Sequence, residues 1–145
     1  MLAEPARASL RYNPHVLRQG PIPLFVHGAI EYVAAALFIA APFLLGFDSD
    51  AATAVSIVIG FLIFLIAAST AGPTGLTDQI PISAHAVLDF ILAGALVAAP
   101  FIFGFSDETE ALAFFLVLGV AHLLITVGTR FLPAEGRPSR SAPRP

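Results

Sequence analysis

Residues 24–47 read Leu24-Phe-Val-His27-Gly-Ala-Ile-Glu31-Tyr32-Val-Ala-Ala-Ala-Leu-Phe-Ile-Ala-Ala-Pro42-Phe-Leu-Leu-Gly46-Phe47, an apolar run opened by a histidine and a carboxylate four residues apart. The arrangement returns 58 residues later. His27-Gly-Ala-Ile-Glu31-Tyr32 aligns with His85-Ala-Val-Leu-Asp89-Phe90, and Ala40-Ala-Pro42-Phe-Leu-Leu-Gly46-Phe47 aligns with Ala98-Ala-Pro100-Phe-Ile-Phe-Gly104-Phe105. The runs that follow align with an offset of 59, one residue being added in the intervening turn, so Asp48 matches Asp107 and Gly60 matches Gly119. The sequence is one hydrophobic hairpin, doubled.

Composition puts that hairpin in a bilayer. Hydrophobic residues make up 57% and charged residues 12% of the 145 residues, against roughly a quarter charged in soluble domains. Four stretches, Leu24 to Phe47, Ala52 to Ala71, Ile82 to Phe105 and Ala111 to Phe131, approach or exceed the roughly 20 residues needed to cross a hydrocarbon core. The expected fold is therefore all-α: a four-helix transmembrane bundle made of two tandem two-span repeats. Residues 1–23 are expected to be a flexible arm and 24–71 the first membrane repeat. Residues 72–81, rich in Gly, Pro and Thr, form a turn-rich linker, 82–131 the second repeat, and 132–145 a disordered Pro/Arg tail.

All seven basic residues lie at or outside the ends of the spans: Arg7, Arg11 and Arg18 before the first, and Arg130, Arg137, Arg140 and Arg144 at or after the fourth. By the positive-inside rule both termini are expected in the cytoplasm, with the protein in the cell membrane. The first 23 residues lack the apolar core and cleavage pattern of a signal peptide and are expected to be retained. Nucleic acid is not an expected ligand, since the short arginine-bearing ends suit topology or anionic lipid better. The expected partners are the lipid bilayer and either a second copy or another membrane protein. With no cysteine, disulfides, thiolate metal sites and cysteine nucleophiles are excluded.

Within the spans, Pro42 and Pro100 are expected to kink the first and third helices, with Gly46 and Gly104 ending them. Ala52, Ser56 and Gly60 form a small-residue face suited to close helix contact, and Gly119 is expected to serve the same purpose in the fourth span. Asp48 is expected to cap the second helix, and Asp107 with Glu110 to form a capping box for the fourth. Ser69, Thr70, Thr126 and Thr129 near helix ends are expected to back-bond to carbonyls one turn earlier.

The repeated Ala-Pro-Phe-Leu-Leu-Gly-Phe at 41–47 and Ala-Pro-Phe-Ile-Phe-Gly-Phe at 99–105 resemble the signature of the SPW-repeat membrane proteins, built from two-span repeats. This chain has Ala-Pro-Phe where that signature has Ser-Pro-Trp, in both repeats. The resemblance spans roughly residues 24–131. It implies an integral membrane hairpin repeat and brings no catalytic residues with it.

The chemistry resides in the ionisable residues. On a helix, positions i and i+4 share a face, so His27 lies over Glu31 and His85 over Asp89. Glu31 and Asp89 sit about 10 Å into their spans at 1.5 Å per residue, where a bare carboxylate is costly. His122 in the fourth span falls at similar depth, and its counterpart in the second is Ile63. Packed up-down-up-down, with spans one and three diagonal, the five side chains His27, Glu31, His85, Asp89 and His122 converge on one polar cluster. The leading expectation is a structural or partner-binding membrane subunit, not an enzyme, in which the cluster fixes helix packing. One alternative is a small transporter-like protein that exchanges protons or binds cations through Glu31 and Asp89. The other is a metal site or a bis-histidine haem site through His27 and His85, although no cofactor is required by the sequence. No catalytic motif such as a nucleophile elbow or phosphate loop is present.

Overall fold

The computed structural model describes residues 20–131; the tail, most of the arginines and all of the expected arm but residues 20–23 lie outside them. Four helices follow in order: α1 (Leu24–Leu45), α2 (Asp50–Ser69), α3 (Ile82–Ile102) and α4 (Thr109–Gly128). All four are long and apolar enough to cross a membrane. A helix satisfies every interior backbone donor and acceptor within itself, which an apolar segment in lipid requires. Large apolar side chains such as Phe25, Val33, Phe43, Leu65, Ile91 and Leu124 point outward and stay exposed, forming the surface that acyl chains cover.

α1 packs along α2 and α3 along α4, giving two hairpins, with α4 also touching α1 and α2 touching α3. Gly60 is where α2 crosses α1: a Cβ there would lie 2.7 Å from Ile39 Cγ1 and 2.8 Å from the Ala35 carbonyl oxygen. Gly119 is the corresponding point of α4 on α3, where a Cβ would lie 2.9 Å from Val97 Cγ2. Ser56, fully buried on the same face as Gly60, donates to the Phe38 carbonyl at 2.6 Å. Around these crossings an aromatic core of Phe38, Phe105, Phe114 and Phe115 fills the end of the bundle nearest the two hairpin turns, with edge-to-face ring contacts between Phe38 and both Phe114 and Phe115.

The helix ends follow the expectation at Gly46 and Gly104 and correct it at the N-caps. Pro42 and Pro100 lie in the last turn of α1 and α3, where their carbonyls accept from Phe47 N–H at 3.0 Å and Phe105 N–H at 2.9 Å. Gly46 and Gly104 adopt the left-handed conformation, φ 69° and 72°, that stops each helix before the apolar run itself stops. Asp48 does not cap α2. The cap is Ser49, whose short side chain accepts from Ala52 N–H at 3.2 Å. The capping box at Asp107 and Glu110 is also absent, because α4 begins one residue later with Glu108 at its N-cap. That carboxylate makes no hydrogen bond to its own helix; it reaches across to accept from Asp48 N–H (2.8 Å) and Ser49 N–H (3.0 Å), tying the two turns together.

At the other end of the bundle the helices are followed by pieces of extended chain that an all-helical reading lacks. Strand β1 (Ile22–Pro23), just before α1, pairs in parallel with β2 (Thr129–Arg130), just after α4. A matching single bridge joins Thr70, just after α2, to Ile80, just before α3. Both pairings occupy backbone groups that a helix end leaves unpartnered. Each also brings a threonine from one hairpin over the first turn of the other.

Candidate functional site

α1 presents His27 and Glu31, and α3 presents His85 and Asp89, to the centre of the bundle. All four are buried, with fractional exposures of 1%, 5%, 1% and 1%. Asp89 Oδ2 lies 3.2 Å from His27 Nε2 and 3.3 Å from His85 Nε2. Glu31 Oε1 lies 3.3 Å from His85 Nε2 and 3.7 Å from His27 Nε2, and the two Nε2 atoms are 3.4 Å apart. For both acids the contact to the opposite helix is at least as short as the one within the i,i+4 pair. The two dyads are therefore a single cluster, and one ligand atom from each residue falls within 4.8 Å of all the others.

The outward-facing nitrogens of the two histidines are held in the same way. His27 Nδ1 is 2.9 Å from Thr129 Oγ1, and His85 Nδ1 is 2.8 Å from Thr70 Oγ1. Each threonine hydroxyl already donates its one hydrogen one turn back, Thr129 to the Ile125 carbonyl at 2.6 Å and Thr70 to the Ile66 carbonyl at 2.7 Å. Toward the imidazole it can only accept. Hydrogen counting thus puts the proton of both imidazoles on Nδ1, so that in the neutral ring Nε2 turns a lone pair to the cluster.

Phe131 covers the cluster where the helices end. It is 2% exposed, and its ring centroid is 5.2 Å from that of His27 and 6.2 Å from that of His85. The aromatic core closes the opposite side. His122 sits apart from the other four: its Nε2 is 3.8 Å from Asp89 Oδ1, its side chain is 11% exposed, and that nitrogen has no hydrogen-bond partner among the described residues. Asp89 Oδ2 is also without a hydrogen bond despite its two close nitrogens, because neither contact has hydrogen-bond alignment.

Of the five expected residues, four meet at the centre and His122 stands at the rim. Thr70 and Thr129 back-bond as their positions near helix ends suggest, and in addition they seat the histidines. Their recurrence at the 59-residue offset was the available signal. Phe131 gave no such signal, since residue 72 in the first half is Gly. The linker makes its own approach to α1: Tyr32 Oη donates to the Thr74 carbonyl at 2.9 Å, and a Cβ on Gly28 would collide with the Thr74 hydroxyl.

A family model described as the SPW repeat domain matches residues 25–129, a range that contains all four helices apart from Leu24 at the start of α1 and takes in the four central side chains. No curated protein matches the chain. No solved structure matches it either.

Proposed function

Since this chain belongs to the SPW repeat domain family and is a multi-pass membrane protein, we propose that it is a small cation-binding protein of the transporter-like kind, holding the ion between its two halves. One observation carries the reading: two buried carboxylates and two imidazoles, drawn from different hairpins, present ligand atoms within 4.8 Å of one another. Two carboxylates sharing a dry site repel unless positive charge lies between them. Glu31 and Asp89 supply the negative charge, His27 and His85 supply nitrogen ligands or protons, and no residue is assigned a catalytic step.

The test is reconstitution in proteoliposomes. Glu31→Gln and Asp89→Asn are expected to abolish proton or cation flux seen with the parent protein; equal flux in all three, or none in the parent, counts against the reading. The same reading has both termini on the cytoplasmic side, as an even number of spans and the basic residues outside them favour. Exposed Asp48, replaced by Cys in this cysteine-free chain, should then react with an impermeant maleimide on intact cells, and exposed Gln79, replaced likewise, only after permeabilisation. The reverse pattern would invert the topology.

A scaffold role is the second reading, favoured by the cluster's position: it joins α1 to α3, which lie across the bundle from one another. On that reading the two substitutions weaken stability or assembly while ion content and flux do not depend on them. Bis-histidine haem draws no support. The Nε2 atoms of His27 and His85 are 3.4 Å apart, and the Glu31 and Asp89 carboxylates lie 3.2–3.7 Å from them, in the space a porphyrin would need.

A further inference from the structure

We infer that His27, Glu31, His85 and Asp89 form a tetrahedral site for one divalent transition-metal ion of the zinc class, with Thr70 and Thr129 as positioning residues that aim the two imidazoles. The inference rests on the cation-binding reading and names the ion.

The spacing of the ligand atoms is the first argument. A four-coordinate ion with nitrogen and oxygen ligands at about 2.0–2.2 Å sets its ligand atoms about 3.3–3.6 Å apart along the edges of a tetrahedron. Five of the six edges here measure 3.2, 3.3, 3.3, 3.4 and 3.7 Å. The sixth edge, between the two carboxylate oxygens, is within 4.8 Å, so the four atoms form a tetrahedron opened along that edge, which a bound cation would draw closed.

Direction is the second. Asp89 Oδ2 is fully buried, lies between two nitrogens and is hydrogen-bonded to neither. Atoms that converge on a common point, instead of on each other, leave such an orphan. The Thr70 and Thr129 hydroxyls accept from the far Nδ1–H groups, which is how a metal-bound histidine is usually oriented by its outer partner. Both Nε2 lone pairs then face the same point as the carboxylate oxygens.

Ligand type and charge select the ion. Two imidazoles and two carboxylates suit zinc and its neighbours, whereas calcium takes 6–8 oxygens and magnesium keeps an octahedron of oxygen and water. Two carboxylates also neutralise a divalent ion, leaving no net charge in the bilayer interior. His122 stays outside this shell, on the second oxygen of Asp89.

The test uses the full chain in detergent, stripped with chelator and titrated with Zn²⁺ or Co²⁺. One ion per chain is expected, with the intense visible absorption of four-coordinate cobalt. Asp89→Asn and His85→Gln are expected to abolish binding. Thr70→Val and Thr129→Val, which keep side-chain shape, are expected to weaken it about 10–100-fold at unchanged stoichiometry, with helicity and monodispersity showing that the fold is kept. A weak six-coordinate cobalt spectrum, binding indifferent to these substitutions, or no bound ion overturns the inference. If the parent binds neither metal yet shows proton or monovalent-cation flux that requires Glu31 and Asp89, the metal site fails and the broader reading stands. Absence of both binding and flux removes the two together.

Discussion

The two halves of the chain differ most where they surround the site and least where they build it. Each contributes a histidine, an acid one turn later and a threonine just past its second helix. Around that shared set the halves part: Ile63 against His122, Gly72 against Phe131, Gly28 beneath Thr74 against Ala86 beside Phe131. The residues the two halves share therefore make up the buried cluster, and the residues in which they differ are those that cover it and lie at its edge. The second half supplies both the cover and the extra imidazole, so any path to the centre is expected to be one-sided.

The largest effect that sharpens this comparison sits at the acids. Asp89 Oδ2 touches both imidazoles at 3.2–3.3 Å, whereas Glu31 Oε1 makes one contact of 3.3 Å and one of 3.7 Å. Leaving a buried charge without its counter-charge costs about 3–5 kcal/mol, so on the cation-binding reading Asp89→Asn should approach that range in chemical or thermal unfolding of the ion-loaded protein in detergent, with Glu31→Gln roughly half as costly. Equal losses would mean that the halves share the load evenly.

Intermediate in size are the helix crossings. Gly60→Ala presses on Ile39 Cγ1 at 2.7 Å and on the Ala35 carbonyl, which is backbone, at 2.8 Å, while Gly119→Ala meets Val97 Cγ2 at 2.9 Å and backbone only at 3.2 Å, the Val97 nitrogen. Overpacking costs about 1–3 kcal/mol, and Gly60→Ala should fall in the upper part of that range and Gly119→Ala in the lower, measured the same way. The reverse order would show that α3 and α4 form the tighter hairpin.

Smallest are the hairpin turns. Ser49 and Glu108 are equivalent N-cap positions with different targets, one binding its own helix and the other the neighbouring turn. Ser49→Ala should cost about 1 kcal/mol, as lost caps do, and Glu108→Ala a similar amount. In a double-mutant cycle the two should couple, because the Glu108 carboxylate accepts from the backbone of Ser49 itself. Strict additivity would show that the turns act separately.

Much of this was legible before any coordinates. Apolar runs of bilayer length gave four helices, and Leu24 and Ile82 begin α1 and α3 as expected. The i,i+4 spacing put His27 with Glu31 and His85 with Asp89. The run to Phe47 overshoots α1 because hydropathy does not register the left-handed turn at Gly46, and the run to Phe131 overshoots α4 because Thr129 and Arg130, which lead to the apolar Phe131, pair as a strand. The cross-helix partners were harder to see. Which threonine seats which histidine depends on two pairings of one or two residues each, too short to leave a periodic trace, and they join segments distant in the sequence. Helical spacing reports neighbours on one helix and is silent about the helix opposite.

The pairing of Ile22 with Thr129 and of Pro23 with Arg130 sets the entrance and exit of the described chain side by side, as Thr70 and Ile80 are at the internal junction. A circularly permuted gene, opened between residues 72 and 81 and joining 131 to 20 through a linker long enough to double back along the parallel pair, as residues 71–79 do at the internal junction, would then encode the hairpins in the opposite order with no helix displaced. Two separately expressed halves would likewise have matching seams along which to reassociate.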